Sequence, residues 1–288
     1  MRFHIIGADG YIGTKIRQYL PQEIKPICYD TQEKEEIRPI DLTKAEAFDF
    51  SQVRKGDFIL FLAAISRPDL CKNQKEMAYR VNVEGTARFL QCFSEIGAHT
   101  LFFSSDTVYG ETTMQKVNEL SPCVPFGPYA EMKHEIEVRF ADDLNIKIFR
   151  LSYVFSKEDR FTSYLAKCAK ENTEAGVFES FYRSVVYIND IFDAVIALSE
   201  RFDQFSNSIF NLSGPEVLSR KDIAQLYRET INPELQFRAV DPPEDFFDAR
   251  PPIIATESLY LEKLLNRKAT NIREALQQEN KNERRTKQ

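Results

Sequence analysis

Ser105, Tyr129 and Lys133 are residues whose types and spacing could carry a proton and steady a reacting oxygen. Tyr129 and Lys133 lie four residues apart in Tyr-Ala-Glu-Met-Lys, so on a helix both project from one face. A phenol is a poor base at its free pKa of about 10. A neighbouring ammonium favours the phenolate and brings proton exchange closer to neutral pH. Ser105 follows an apolar, strand-like run, residues 100–104. A hydroxyl there can donate to a substrate oxygen and hold it beside the phenol.

A second motif supplies a place for a cofactor. Residues 2–7 form a short apolar run ending in glycine, and Gly7-Ala-Asp9-Gly10-Tyr11-Ile12-Gly13 then opens a helical pattern. Glycines at this spacing make a tight turn, let backbone N–H groups approach a pyrophosphate, and let helix and strand pack closely. The helix N-terminus adds partial positive charge. Asp30 ends the next strand-like run, where a carboxylate can accept from both ribose hydroxyls of an adenosine. It would repel a 2′-phosphate, so NAD is the expected cofactor; Lys34 and Arg38 nearby leave NADP open.

The elements that position these groups alternate. Apolar runs at residues 26–29, 58–64, 100–104 and 146–151 are separated by helical patterns at 10–20, 76–96 and 129–144. Continuous apolar strands between amphipathic helices predict an α/β fold of Rossmann type, a doubly wound parallel sheet covered on both faces. Beyond residue 155 the regularity weakens. Helices are expected at 161–170, 190–201 and 220–230, and strands at 184–188 and 209–212. Residues 241–252 hold four prolines and read as an irregular loop. The expected division is a nucleotide-binding domain over 1–155 and a smaller C-terminal substrate-binding lobe over 156–276, partly interleaved with the sheet. The polar stretch 277–288 reads as an unstructured tail.

The composition narrows the possible partners. A net charge of −6 gives no overall footprint for nucleic acid, though local cations and helix N-termini can still bind a small anion. Five scattered cysteines without a C-x-x-C pair fit a reducing compartment and lack zinc-ligand spacing, so no metal is expected. No apolar run is long enough to span a membrane, and the chain opens on a strand pattern rather than a signal peptide. A cytoplasmic protein is expected.

Taken with these motifs, the chain resembles the extended short-chain dehydrogenases of the NAD-dependent epimerase/dehydratase family, which act on sugar nucleotides. The resemblance aligns Gly7, Gly10 and Gly13 with the cofactor glycines and Asp30 with the ribose acid. It also places Asp41 and Leu42 against the adenine, with Leu62, Ala63 and Ala64 under the nicotinamide ribose. Asn82 falls on the family's helix asparagine, Ser104 beside the cofactor, and Arg150 on an arginine ending the following strand. Ser105, Tyr129 and Lys133 fall on the catalytic triad. Ser66, Asp106 and Thr107 fall at the substrate, and Arg183 on an arginine that often holds its phosphates. The resemblance implies hydride transfer at a sugar carbon, by a 4-keto sugar reductase or a C4 epimerase. A homodimer through residues 82–97 and 129–144 is implied too. Dehydratases of the family carry an acidic pair after the catalytic hydroxyl; Thr107 takes the second place here, which argues against water elimination. Leu151-Ser-Tyr-Val-Phe-Ser156 departs from the family's usual asparagine-containing segment and leans toward the ketoreductases. The alternative is a catalytically silent NAD(P)-binding regulatory subunit, for which an intact triad has no chemical need.

Other reactive types read blandly. His4 suits strand packing, His134 and Glu137 a helix surface, Cys123 a plain thiol, and Tyr109 a packing or hydrogen-bonding role near the cofactor.

Overall fold

The computed structural model describes residues 1–286, with side chains to residue 281. Six strands, β1 (Phe3–Ile6), β2 (Ile27–Asp30), β3 (Ile37–Pro39), β4 (Phe58–Phe61), β5 (His99–Ser105) and β6 (Ile146–Leu151), precede the lobe. The later strands are β7 (Tyr153–Phe155), β8 (Ala175–Phe178), β9 (Tyr182–Tyr187), β10 (Ile209–Leu212), β11 (Val217–Ser219), β12 (Phe237–Val240) and β13 (Ile253–Ile254). The first five helices are α1 (Tyr11–Tyr19), α2 (Pro68–Asn73), α3 (Lys75–Tyr79), α4 (Thr86–Ile96) and α5 (Pro128–Arg139). They are followed by α6 (Arg160–Glu171), α7 (Ile188–Glu200), α8 (Arg220–Thr230), α9 (Leu261–Leu265) and α10 (Ile272–Thr286).

Seven strands form one parallel sheet in the order β10-β6-β5-β4-β1-β2-β3. The period of two sorts their side chains. Ile5, Leu60, Leu101, Phe103 and Phe149 enter one core layer, and Ile6, Ile59, Phe61, Phe102 and Ile148 the other. Ile16 of α1 with Ile191 and Val195 of α7 covers the first face; Phe89 and Phe93 of α4 with Met132 and Ile136 of α5 covers the second. This is the doubly wound Rossmann-type fold. Strand order reverses between β1 and β4, which opens a crevice at their carboxyl ends, where ligands bind in such sheets.

The C-terminal lobe is built on β9, flanked by β7 and β13 in parallel and β11 antiparallel, beside a parallel pair of β8 and β12. β10 returns from the lobe to the edge of the large sheet, so the chain crosses between the two parts more than once. Asp159 caps α6 by accepting from the Phe161 and Thr162 amides. Ser219 and Asp222 form a capping box that fixes the start of α8.

Three elements differ from the sequence reading. The helix expected over 76–96 is broken by a π-helical stretch at Arg80–Gly85, where the Thr86 hydroxyl donates to the Val81 carbonyl and widens the ladder. The helix expected over 129–144 stops at Arg139: Phe140 leaves the helical region at φ −116°, ψ 19°, and the Ala141 and Asp143 amides then donate three residues back, to Val138 and Phe140, in turns rather than a continued ladder. Residues 277–286, read as a tail from their polarity, continue α10. Buried Ile272, Ala275 and Leu276 anchor its first turns, and a helix tied on one side carries polar residues elsewhere at little cost. Residues 287–288 of that stretch lie outside the described residues. No described helix is long and apolar enough to cross a membrane.

Candidate active site

A cleft of about 1690 Å³ runs from the glycine turn to the C-terminal lobe. Its floor begins where β1 gives way to α1. Gly7 has φ +90°, and a Cβ there would lie 2.8 Å from the Ala63 nitrogen; a Cβ on Gly13 would lie 2.3 Å from the Gly7 carbonyl oxygen. The turn is thereby closed down onto β4, and larger side chains are excluded at both positions. Gly10 caps α1 without a side-chain hydrogen bond, so the first N–H groups of the helix face the cleft free of a local acceptor. A bare helix N-terminus over a glycine turn fits the pyrophosphate of a dinucleotide.

At the adenosine end, Asp30 accepts from the Asp9 amide (2.8 Å) and the Thr31 amide (2.7 Å). Lys34, which the sequence left available to a 2′-phosphate, pairs instead with the Asp9 carboxylate. Arg38 turns to the Gln52 carbonyl oxygen of its side chain. Asp41 accepts from the Thr43 amide and hydroxyl and lines the cleft beside Leu42.

Tyr129 and Lys133 share the inward face of α5, as their spacing requires. Lys133 is 3% exposed; its ammonium donates to the Phe103 carbonyl (2.6 Å) and lies 4.4 Å from the Phe102 ring centroid. Burial holds Lys133 down to about 7, against the opposing pull of Glu137. Burial pushes the Tyr129 phenol up, and Cys71 and Asp106 act in the same direction. Before cofactor binds, the cleft therefore presents a protonated phenol beside a partly neutral amine. In the unfolded chain the lysine titrates near 10.5, so between about pH 7 and 10 the unfolded state binds the extra proton. Stability of the cofactor-free protein should rise with pH over that window, approaching ~1.4 kcal/mol per pH unit from this group. Lys133→Met should flatten the rise in urea denaturation at pH 7 and 9. Parallel behaviour of the two proteins would show that Lys133 stays charged.

The same helix face continues to Glu137, which the sequence placed on a surface. It is 2% exposed, because i, i+4 and i+8 from Tyr129 all point at the sheet. Arg150 donates to it through Nε (3.1 Å) and Nη2 (2.6 Å), and Ser104 donates at 2.5 Å. Arg150 also donates to the Tyr109 hydroxyl (2.8 Å), which contacts Asn211 Oδ1 at 2.9 Å. A polar network thus ties α5 to β5, β6 and β10 behind the cleft. Although burial opposes it, the close approach of His134 (3.6 Å) and the hydrogen bonds and charge of Arg150, with the Ser104 hydrogen bond, hold the Glu137 carboxyl below its usual range. Cys123, His134 and Glu137 come within 4.8 Å of one another, but the carboxylate is already taken up by Arg150 and Ser104.

A family model, the RmlD substrate binding domain, matches residues 1–281. The chain belongs to the RmlD substrate-binding-domain family. Among curated relatives of this member, the N-acetyl-alpha-D-glucosaminyl-diphospho-ditrans,octacis-undecaprenol 4-epimerase of Escherichia coli O157:H7 is 25% identical over 66% of the chain. The dTDP-4-dehydrorhamnose reductase of Salmonella typhimurium is 24% identical over 63% of it. The matches span 61% of the length of each of these two relatives. Methionine adenosyltransferase 2 subunit beta of Bos taurus is 22% identical over 80% of the chain and 72% of that protein. In fold, the chain superposes on a solved dTDP-4-dehydrorhamnose reductase from Clostridium acetobutylicum with a TM-score of 0.83 at 20% identity, covering 99% of this chain and 100% of that one.

In this RmlD-family cleft, the lining includes Gly7, Asp9, Gly10, Tyr11, Ile12, Gly13, Asp30, Asp41, Leu42, Leu62, Ala63, Ala64, Ser66, Ser104, Tyr129 and Lys133. Five expected residues do not line it. Asn82 is buried behind the wall and clamps Ile65, accepting from its amide and donating to its carbonyl. The Ser105 hydroxyl is turned onto the following 3-10 turn, accepting from the Thr107 amide and hydroxyl and donating to Asp106. Asp106 is buried; desolvation raises it to about 6 against the charge of Arg183. Arg183 is 8% exposed and donates to the carbonyls of Tyr182, Pro251 and Pro252, which fixes it as an internal brace of the lobe. The sequence reading missed Tyr153, Phe161, Phe181 and Arg220, which line the lobe end. Aromatic residues close to the turn after β6 were a signal for them, but helix and strand periodicity gave no direction to the cleft.

Proposed function

We propose that the protein reduces the 4-keto group of a nucleotide-activated sugar, using NADH or NADPH. One observation carries the reading: a single cleft holds both the glycine turn and the Tyr129–Lys133 face, then continues into an aromatic lobe. When bound, the reduced nicotinamide supplies the hydride. Tyr129 donates its proton to the sugar oxygen as the carbonyl carbon becomes an alcohol, and a raised phenol is in the protonated form this direction needs. Lys133, near the phenol ring, favours the phenolate left behind and would hold the nicotinamide ribose. Ser105, after rotation of its hydroxyl away from Asp106, orients the oxygen.

A C4 epimerase shares these parts but oxidises and re-reduces its substrate in place, so it must retain the cofactor. Denaturing the purified protein and quantifying released nicotinamide separates the two. The reductase reading expects an empty protein that binds added cofactor reversibly; near-stoichiometric retained NAD would overturn it in favour of the epimerase. Asp30, with Lys34 and Arg38 both turned away, supports a preference for NADH. Asp30→Ala should improve NADP(H) affinity by about tenfold or more and weaken NAD(H). Equal affinities for the two phosphorylation states in the unaltered protein would remove that preference.

The likeness to a protein named as a methionine adenosyltransferase subunit gives room for a second reading, in which this chain serves a partner as a catalytically silent NAD(P)-binding regulatory subunit. Tyr129 and Lys133, both present and facing the cleft, weigh against it. Five free thiols support a cytoplasmic location. The α4 and α5 helices, with Val138 exposed on the latter, are the faces by which we expect two copies to pair.

A further inference from the structure

We propose that Arg220 binds the phosphate groups of the nucleotide-activated substrate, the part that the sequence pattern assigns to Arg183. The proposal rests on the nucleotide-sugar reading above. Arg183 is tied to three backbone carbonyls and does not reach the cleft. Arg220 lines it, in the same cleft as Lys133 and Tyr153.

The guanidinium of Arg220 lies 3.9 Å from the Tyr153 ring centroid and 4.8 Å from that of Phe161. Stacking orients the plane of the guanidinium, which also meets the Tyr153 hydroxyl, and an arginine so held can turn its remaining N–H groups to a planar or tetrahedral oxyanion. Its Nη1 is buried and has no hydrogen-bond partner. A buried charged donor left unmade is costly, so this position calls for an acceptor from outside the chain. The neighbouring carboxylates are engaged elsewhere. Asp159 accepts from the Tyr153 hydroxyl and the start of α6, Asp222 closes the capping box of α8, and Glu179 pairs with Lys221. The capping box also anchors the backbone that carries Arg220, so its position is set before any ligand arrives. An arginine edge of this kind forms paired bonds with phosphate oxygens.

The test is calorimetric titration of the NADH-saturated protein with dTDP, UDP and the nucleosides thymidine and uridine. The unaltered protein should bind one diphosphate at least about tenfold more tightly than its nucleoside. Arg220→Met should weaken the diphosphate by about 10- to 100-fold and leave the nucleoside unchanged, with Arg220→Lys intermediate. If Arg220→Met does not fold, the lysine variant alone decides, through a several-fold loss confined to the diphosphate. Unchanged diphosphate affinity in either folded variant would overturn the assignment and leave the nucleotide-sugar reading standing. Equal losses for diphosphate and nucleoside would also overturn it, marking Arg220 as packing. If the unaltered protein binds NADH but neither diphosphate, the nucleotide-sugar reading falls and the assignment with it.

Discussion

Tyr129→Phe should lower turnover by about 10²- to 10⁴-fold while cofactor affinity stays within about twofold of the unaltered protein. The substitution removes one hydroxyl and keeps the ring that packs against the layer formed by Phe102, Met132 and Ile136. The glycine turn and Asp30 lie on other elements, so the surface that would hold the dinucleotide is untouched. Steady-state rates followed by nicotinamide absorbance, with cofactor titrations on the same preparations, measure both quantities. Near-normal turnover would remove Tyr129 from the chemistry, and a parallel loss of cofactor binding would show a structural fault instead.

Glu137→Gln should cost about 3–5 kcal/mol of folding stability, because it leaves the Arg150 guanidinium buried without its counter-ion. Both side chains are nearly inaccessible, at 2% and 4% exposure, so water cannot take the lost partner's place. The same carboxylate holds Ser104 and sits eight residues after Tyr129 on α5, so the loss should also loosen the register of the proton donor. Urea denaturation of the single variant and of Glu137→Gln/Arg150→Met gives the comparison. The double variant should recover part of the loss, since removing both charges removes the stranded one. A single-variant cost below about 1 kcal/mol would mean the pair is not what fixes α5.

The nucleotide-binding half was largely legible in the sequence. Its strands are buried on both faces and read as short apolar runs; Gly7 and Gly13 have few alternatives at the strand-to-helix turn, and Asp30 stands out as an acid ending the next strand. The Tyr129–Lys133 pair was equally plain because helical spacing alone puts both on one face. Glu137 was missed although it obeys the same rule, since a charged residue is by default read as solvated until its partner is known, and Arg150 stands on another strand. Arg183 was misplaced for a related reason. Its sequence neighbourhood fits a phosphate-binding arginine, but the prolines at 251 and 252 bring carbonyls to it across a sequence gap of about 69 residues. Strands β7, β8, β12 and β13 are two to four residues long, too short to show a period, and only pairing partners define them. The polarity of α10 hid a helix whose anchor is three residues at its start.

The measurement closest to the proposed chemistry is transfer of deuterium. Nicotinamide nucleotide reduced with deuterium at C4 would be incubated with the protein and a nucleoside-diphospho-4-keto-6-deoxyhexose, in the dTDP and UDP forms. The sugar product would then be examined by mass spectrometry and NMR. Hydride transfer to the carbonyl carbon should leave one deuterium at C4 of the alcohol, in a reaction that consumes one cofactor per sugar and is lost in Tyr129→Phe. Cofactor that binds yet delivers no deuterium to either sugar would contradict the assignment of this cleft to 4-keto sugar reduction.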